Sequence, residues 1–228
     1  MIEKKGQFFT GIGLMASFII VLIIIFMPIF NGQNGLNYMD SLYNSISKGS
    51  AYYIPKVREE SQPFNDNLID VKLGMATNQQ SEQSALLFLK GNAAAKPSGN
   101  KLVISGDLGQ ILANCLTDAD IMYHNDGKSL SEKYGYDGKR VLFNWWMSLS
   151  IMGKELKAQK KYKEAKMVAM VVKKAVETSF NYYEIDAQKI SDKYGIVIIS
   201  LIFYVIYTLW YGFAILFMFE GWGLKLEH

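Results

Sequence analysis

The sequence predicts an α+β membrane protein in which two transmembrane helices flank a mainly helical domain that contains a small β-α-β-β sheet element. Residues 8–30 and residues 194–219 contain no charged side chain. At about 1.5 Å per helical residue, the second stretch would be about 39 Å long, which exceeds the roughly 30 Å hydrocarbon core of a bilayer. Between the two stretches the composition is that of a soluble domain, and its apolar spacing changes between helical and strand periods.

The distribution of positive charge predicts how the chain crosses the membrane. Lys4 and Lys5 precede the first stretch and Lys225 follows the second, whereas no Lys or Arg follows the first stretch until Lys48. The positive-inside rule therefore places both termini in the cytoplasm. The predicted segments are a cytoplasmic tail at residues 1–7, transmembrane helices at 8–30 and 194–219, an extracytoplasmic domain at 31–193, a second tail at 220–225 and a tag remnant at 226–228.

The first apolar stretch is interpreted as a retained signal anchor. A signal peptide is the alternative, but the apolar core is longer than a typical h-region and no small-x-small cleavage site follows it. The only cysteine is Cys115, so the exported domain has no internal disulfide, which favours the cytoplasmic membrane of a bacterium or archaeon. A net charge of +3 is too small to indicate nucleic-acid binding, and no cofactor motif is present.

The first half of the middle domain is expected to hold the sheet. A helix follows the turn signal at residues 31–35, and Pro55 ends or restarts it. A period of two over residues 69–75 predicts a half-buried strand. A helix at residues 81–90 and strands at 93–96 and 101–105 complete the β-α-β-β pattern.

The second half is expected to be helical. Asp107 or Ser105 caps a helix whose apolar residues recur every three or four positions through Met122. Ser129 is placed to cap the next turn, with Glu132 three residues later. Two long helices should follow at residues 141–158 and 162–183, and residues 184–193 should run as one helix into the second apolar stretch.

Asp120, His124 and Asp126 are the candidate metal-binding or proton-transferring residues. On a helix, Asp120 lies one turn before His124, and Asp126 follows in the next turn. Metal sites usually need three or four protein ligands and no fourth is identifiable, so a solvated ion pair is the preferred interpretation. Cys115 lies within the apolar stripe and is expected to be a buried, inert thiol.

Two features of the middle domain suggest contacts with other molecules. The basic stretch that contains Lys154, Lys157, Lys160 and Lys161 is either a solvated helical face or a surface for anionic lipid headgroups or an acidic partner. The Trp145-Trp146 pair is either a core element or an interface hot spot, and the core is the preferred interpretation.

Small and hydroxyl-bearing residues predict how the two apolar helices pair. Hydroxyl groups are unfavourable against lipid, and small residues permit close helix approach. Pairing within the chain is the default interpretation, homo-oligomerisation through the same face is the alternative, and a tyrosine-lined quinone or lipid groove is a third. The predicted contact residues are Gly13 and Ser17 in the first helix and Ser200, Tyr204, Tyr207, Thr208 and Tyr211 in the second.

These features favour a non-catalytic, two-span envelope protein whose extracytoplasmic domain binds or scaffolds other components. Its expected partners are the lipid bilayer and either further copies of itself or other envelope membrane proteins, without nucleic acid. A sensory input module is the first alternative, because bacterial transmembrane receptors share this two-span layout. An exported metal-dependent enzyme that uses Asp120, His124 and Asp126 is the second.

Overall fold

The computed structural model describes residues 2–30 and 32–224. Met1, Asn31 and residues 225–228 lie outside the described residues. Lys225 and the predicted tag remnant at 226–228 belong to this last group.

The described part of the chain is mostly helical, as predicted, and it contains a small three-stranded sheet. The N-terminal elements are α1 (Lys5–Phe26), α2 (Gly35–Ser50), α3 (Ile54–Ser61), β1 (Leu68–Gly74), α4 (Asn78–Lys90), β2 (Ala94–Ser98) and β3 (Lys101–Asp107). The C-terminal elements are α5 (Leu108–Tyr123), α6 (Gly127–Tyr134), α7 (Gly138–Ala158), α8 (Tyr162–Val171), a π-helical segment (Val172–Val176), α9 (Glu177–Asn181) and α10 (Ile190–Gly221).

The chain divides into two compact units. The apolar unit consists of Met1–Gly49 with Ala187–His228, and the α+β unit consists of Ser50–Asp186. Helix α2, which the sequence pattern assigned to the middle domain, therefore belongs with the apolar helices. The α+β unit begins just before α3 and ends before α10.

Helices α1 and α10 are both long and apolar enough to cross a membrane. With 22 and 32 residues they are about 33 Å and about 48 Å long. Helix α1 ends at Phe26 instead of continuing to residue 30, because Pro28 restricts the residue before it to an extended conformation. Met27 has φ −72° and ψ 144°, as this restriction requires.

Helix α2 completes the apolar unit. The Asn34 side chain accepts a hydrogen bond from the backbone N–H of Asn37 at 2.8 Å, which satisfies one free donor at the start of the helix. Leu42 and Ile46, one turn apart, are its buried apolar side chains. The backbone N–H of Gln188 donates to the Ser45 carbonyl, which joins α2 to the segment that precedes α10.

The helix predicted over residues 184–193 is present only from Ile190, where α10 begins and continues through the second apolar stretch, whereas residues 184–189 are not helical. Glu184 lies in the left-handed region with φ 65°, a conformation that ends a helix. The Asn125 side chain stabilises this turn, accepting from the Glu184 N–H at 2.9 Å and donating to the Ile185 carbonyl at 3.1 Å.

The sheet has the strand order β1-β3-β2 with both pairs antiparallel, so the β-α-β-β prediction is confirmed. Ile69, Val71 and Leu73 are buried and alternate with exposed neighbours, as a period of two requires. Strand β2 extends to Ser98 and includes Pro97. Proline cannot donate a hydrogen bond to a neighbouring strand, and β2 tolerates it because β2 is an edge strand.

Helix α5 forms the centre of the hydrophobic core. Its buried apolar side chains pack among α3, α6, α9 and the π-helical segment, which confirms the predicted stripe. Each buried leucine or isoleucine stabilises the fold by about 1.5–3 kcal/mol relative to exposure. The fully buried apolar residues of the stripe are Leu108, Ile111, Leu112, Cys115, Leu116, Ala119 and Met122.

Side-chain caps define where four helices of this unit begin. Thr77, Asp107, Asp126 and Asp137 each accept a hydrogen bond from the backbone N–H three residues later, at the starts of α4, α5, α6 and α7. The predicted Ser129 cap is wrong. Asp126 caps α6, and Ser129 donates both its backbone N–H and its hydroxyl to that carboxylate.

The helix predicted over residues 162–183 has a different internal structure. It consists of α8, the π-helical segment and α9, and α8 packs antiparallel against α7 as the predicted hairpin. Wide turns of the π type are rare and carry one extra residue, which shifts the following side chains around the helix axis. The Thr178 hydroxyl donates to the Lys173 carbonyl, five residues earlier, at 3.2 Å.

The Asp107 cap supplies the first prediction. Asp107→Ala removes the acceptor for the Gln110 N–H and for the Asp66 N–H, so it should lower the free energy of unfolding by about 1–2 kcal/mol. Asp70→Ala, an exposed residue on β1, should change it by less than about 0.5 kcal/mol. Urea unfolding of the detergent-solubilised chain measures both values, and equal effects would contradict the capping role.

Candidate functional site

Two adjoining depressions lie on the surface of the α+β unit, between α7 and the segment that runs from α8 to α9. Both include Glu177, and together we call them the α7 groove. The first has a volume of about 320 Å³ and is lined by Phe143, Trp146, Val176, Glu177, Phe180 and Asn181. The second has a volume of about 300 Å³ and is lined by Leu149, Ser150, Gly153, Lys154, Lys157, Ala165, Ala169, Val172, Lys173 and Glu177.

The groove follows directly from residue spacing and residue size. On α7 the lining residues recur every three or four positions from Phe143 to Lys157, so they share one face over about 21 Å. Gly153, Ala165 and Ala169 lie along the helix pair where longer side chains would fill the space. The π-helical segment supplies Val172, Lys173 and Val176 to the opposite wall.

Aromatic side chains form one end of the groove. Trp146 is 37% exposed and Phe180 is 38% exposed, so both rings are partly accessible to solvent. The Trp146 indole N–H donates to Glu177 Oε1 at 2.9 Å, which fixes the orientation of the ring. The Arg140 guanidinium lies 5.0 Å from the centroid of the Phe143 ring. The preferred core interpretation is therefore right for Trp145, which is fully buried, and wrong for Trp146.

Lysines flank the other end. Lys154 and Lys157 extend from α7 and Lys173 from the opposite wall, all three exposed. Among residues 2–30 and 32–224, no carboxylate lies within ion-pair distance of these three ammonium groups. The groove is therefore positively charged where its floor is made of small residues.

The acidic residues that lie between the groove lysines in sequence, Glu155 and Glu164, have hydrogen-bond partners outside the groove. Glu155 accepts from the Gln159 side chain at 3.3 Å, and Glu164 accepts from the Asn67 amide at 3.1 Å. The backbone N–H of Glu164 and the Asn67 amide hold the pKa of Glu164 below its ordinary value. Neither carboxylate lines the groove.

The predicted group of four lysines is divided between two places. Lys154 and Lys157 line the groove, whereas Lys160 is exposed in the α7–α8 connection with φ 61°. The Lys161 ammonium donates to the Leu68 carbonyl at the start of β1, at 3.1 Å. Only half of the predicted group therefore belongs to the candidate site.

Asp120, His124 and Asp126 are not brought together as a ligand set. His124 Nδ1 lies 3.4 Å from Asp120 Oδ1 and 2.9 Å from the Asp120 carbonyl oxygen, and its side chain is 62% exposed. Both carboxylate oxygens of Asp126 accept from Ser129. Within the described ranges, no group of three or more His, Cys, Asp or Glu side chains could hold a metal ion.

Asp120 instead belongs to a small surface cluster. The Tyr52 hydroxyl donates to Asp120 Oδ1 at 2.7 Å, and the Tyr52 ring packs edge-on against the His124 ring. Partial burial, followed by the hydrogen bond to Asp120, raises the pKa of Tyr52 to about 12. These are the contacts of a surface Asp–His pair with a tyrosine packed against it.

Sequence reasoning missed the buried carboxylate of Asp118. It accepts from the Lys133 ammonium at 2.6 Å, the Tyr134 hydroxyl at 2.6 Å and the Trp145 indole N–H at 2.7 Å. The signal was available in the sequence, because Asp118 lies three residues after Cys115 and therefore on the buried stripe of α5. The cluster connects α5 to α6 and α7, so it positions the helix that carries the groove.

The Asp118 cluster also affects tyrosine ionisation. Burial, and then the nearby Asp118 charge, raise the pKa of Tyr134 well above its ordinary value of 10.0. Burial raises the pKa of Tyr136 to about 12. Cys115 is buried beside this cluster, and burial raises the pKa of its thiol. The thiol is therefore protonated at neutral pH, as expected for an inert cysteine.

In the apolar unit, only some of the residues that were predicted to join the two apolar helices lie in the contact between α1 and α10. Tyr207 and Tyr211 pack against Phe18, with ring centroids 4.3 Å and 5.2 Å from the Phe18 ring. The Tyr207 hydroxyl donates to the Phe18 carbonyl, and the Trp210 indole N–H donates to the Leu14 carbonyl. These two hydrogen bonds place polar groups inside the contact between α1 and α10.

The predicted Gly13–Ser17 contact is not made. No atom lies within 4 Å of the position that a Cβ on Gly13 would occupy, and the Ser17 hydroxyl donates to the Gly13 carbonyl of its own helix. Gly11 is the close-contact residue instead, since any side chain there would collide with the backbone of Ala214 and Met218. Gly13 and Gly11 lie about 200° apart around α1, on nearly opposite faces.

The remaining hydroxyl residues have other environments. Ser200 Oγ lies 2.7 Å from the Tyr43 hydroxyl of α2, and the Thr208 hydroxyl donates to the Tyr204 carbonyl within α10. The Tyr204 side chain is 67% exposed.

Removal of the buried carboxylate should strongly destabilise the α+β unit. Asp118→Ala leaves the Tyr134 hydroxyl and the Trp145 indole N–H without their acceptor and leaves the Lys133 ammonium only its bond to Asn114, so the free energy of unfolding should fall by about 3–5 kcal/mol. Asp120→Ala is the matched control on the same helix and should cost about 1 kcal/mol, because Asp120 is partly exposed. Urea unfolding of each variant measures the difference, and similar losses would contradict the role assigned to Asp118.

The raised tyrosine pKa values predict alkaline destabilisation. Unfolded tyrosine loses its proton near pH 10 while folded Tyr134 keeps it, so the unfolded state binds fewer protons above pH 10. Tyr134 should therefore leave the free energy of unfolding unchanged between about pH 7 and pH 9 and should lower it as pH rises above 10. Tyr134→Phe should make this fall shallower, as measured by urea unfolding between pH 8 and pH 11. Identical slopes in the two proteins would contradict it.

The chain matches no protein-family model, no curated protein and no solved structure.

Proposed function

We propose that the chain is a non-catalytic envelope protein, anchored in the cytoplasmic membrane of a bacterium or archaeon by α1 and α10. Its α+β unit lies outside the cytoplasm and binds another envelope membrane protein through the α7 groove. The protein acts as a scaffold or accessory subunit.

The apolar helices support the membrane half of this proposal. Ile20 of α1 is 59% exposed and Ile199 of α10 is 68% exposed, and both lie among other exposed apolar side chains. An apolar surface of this extent is unfavourable in water and favourable in lipid. Lys4 and Lys5 next to α1 support a cytoplasmic N-terminus by the positive-inside rule.

The α7 groove is the observation that supports the proposed binding of a partner protein. Exposed tryptophan and phenylalanine are the residue types that most often dominate binding energy at protein interfaces. In this groove they lie beside lysines that have no ion-pair partner among the described residues. Packing within the unit alone does not account for this combination.

The environment of Tyr204 supports an oligomer in the membrane. Its hydroxyl lies near the middle of the predicted 194–219 span, where an exposed polar group would face hydrocarbon. A further helix beside α10 would remove it from lipid. The open space beside Gly13 of α1 permits a close approach of the same kind.

Photocrosslinking in native membranes tests the proposal. A photoreactive amino acid at position 146 should give one discrete product larger than the 25.8 kDa chain, and the chain should stay in the membrane pellet after alkaline carbonate extraction. The same amino acid at position 128, exposed on α6, should give no such product. Release of the chain by carbonate would refute the membrane anchor, and equal products from both positions would refute the groove as the binding site.

A further inference from the structure

We infer that the α7 groove receives an amphipathic helix of the partner protein, with apolar side chains against its aromatic end and carboxylates against Lys154, Lys157 and Lys173. This inference rests on the proposed function and specifies the chemistry of the partner.

The dimensions of the groove fit a short helix. The lining residues of α7 span about 21 Å, which corresponds to about four helical turns or 14 residues. Helices that bind in grooves insert side chains spaced three and four residues apart, the same spacing as the groove residues on α7. A partner helix of that length would contact both ends of the groove at once.

The short side chains at the floor of the groove allow a partner helix to approach α7 and α8 closely. Gly153, Ala165 and Ala169 have short side chains, so a third helix can lie near the usual 8–10 Å interaxial distance from both walls. The groove is open to solvent along one side. A single acyl chain or small molecule would stay exposed there, whereas small-molecule sites normally bury 70–90% of their ligand. A macromolecular surface suits this geometry better.

The charges of the groove specify acidic residues on the partner. The titratable groups that line it are Lys154, Lys157, Lys173 and Glu177, a net charge of +2. Glu177 is occupied by the Trp146 indole at the aromatic end, and the three lysines flank the other half. Charge complementarity of this kind contributes mainly to specificity and association rate. The partner should therefore carry its carboxylates in one half of the helix.

Helix dipoles predict the direction in which the partner helix lies. The lysines flank the C-terminal half of α7, so partner carboxylates must lie beside that end. Carboxylates are most favourable in the first turn of a helix, near its positive end. The partner helix should consequently run antiparallel to α7, with its N-terminus beside Lys157 and its apolar C-terminal half over Trp146.

The test uses the full chain in nanodiscs of zwitterionic lipid and a fluorescently labelled 16-residue designed peptide. The peptide carries leucines along one helical face and three glutamates in its first two turns, and a matched peptide carries lysines at those three positions. Anisotropy titration should show at least about tenfold tighter binding of the glutamate peptide, with the preference declining in high salt. A third peptide with the glutamates in its last two turns should bind more weakly than the first.

Charge reversal in the protein provides the matched variants. Lys154→Glu/Lys157→Glu should weaken binding of the glutamate peptide at least about tenfold and strengthen binding of the lysine peptide. Lys160→Glu/Lys163→Glu changes the net charge equally at exposed positions outside the groove, and it should change binding less than twofold.

The contrary outcomes separate this inference from the proposed function. Equal binding of the glutamate and lysine peptides overturns the acidic helix, while a crosslink from position 146 still supports the binding role. Binding of phosphatidylglycerol vesicles that depends on Lys154 and Lys157, without peptide binding, assigns the groove to a lipid surface and also overturns it. Charge-dependent peptide binding without any crosslink in native membranes supports the groove chemistry and refutes the proposed function.

Discussion

The buried carboxylate of Asp118 is the constraint on which the helical packing of the α+β unit depends. An ionised carboxylate in the interior is tolerated only when donors surround it, and here a lysine, a tyrosine and a tryptophan from α6 and α7 supply them. Each donor fixes the rotation of its helix about its axis and the position of that helix along the axis relative to α5. Apolar contacts alone can tolerate a small slide between helices, whereas three short hydrogen bonds to one group cannot.

This constraint extends to the surface through two adjacent tryptophans. Trp145 points inward to Asp118, and Trp146, about 100° further around α7, lines the groove. The orientation of α7 that satisfies the buried carboxylate therefore also sets which residues face outward. On the opposite wall, Glu177 directly follows the π-helical segment and accepts a hydrogen bond from the Trp146 indole. The groove results from internal packing on one side and an irregular helix on the other.

Much of the fold could be predicted from local sequence signals. The alternation at Ile69, Val71 and Leu73 and the stripe along α5 are strong periodic patterns, and the structure confirms both. The misassigned turn at Glu184 depends on contacts between residues distant in sequence. Asn125 stabilises the Glu184 turn across some sixty positions, a relationship that no local pattern encodes. The sequence pattern favoured Gly13 as the close contact, whereas the rotation of α1 places Gly11 against α10.

The candidate site was visible in sequence only as separate parts. The lysines and the tryptophan pair were recognised, but their convergence depends on the antiparallel packing of α7 and α8 and on the π-helical segment. The sequence Val172–Val176 carries no glycine, proline or other sign of an irregular helix. Wide turns of this kind arise from tertiary packing, so the exposed position of Trp146 could not be derived before the structure was known.

The contact between α1 and α10 has a consequence for the order of assembly. The hydrogen bond from Tyr207 to Phe18 joins residues 189 positions apart, and the entropic penalty of closing a loop grows with its length. A folded α+β unit shortens the effective loop, because its first and last residues already have defined positions. During synthesis α10 emerges after that unit is complete. Helix α10 therefore completes its contact with α1 after the α+β unit has been synthesised, and mutations that delay folding of the middle of the chain will appear first as failure of α1 and α10 to pair.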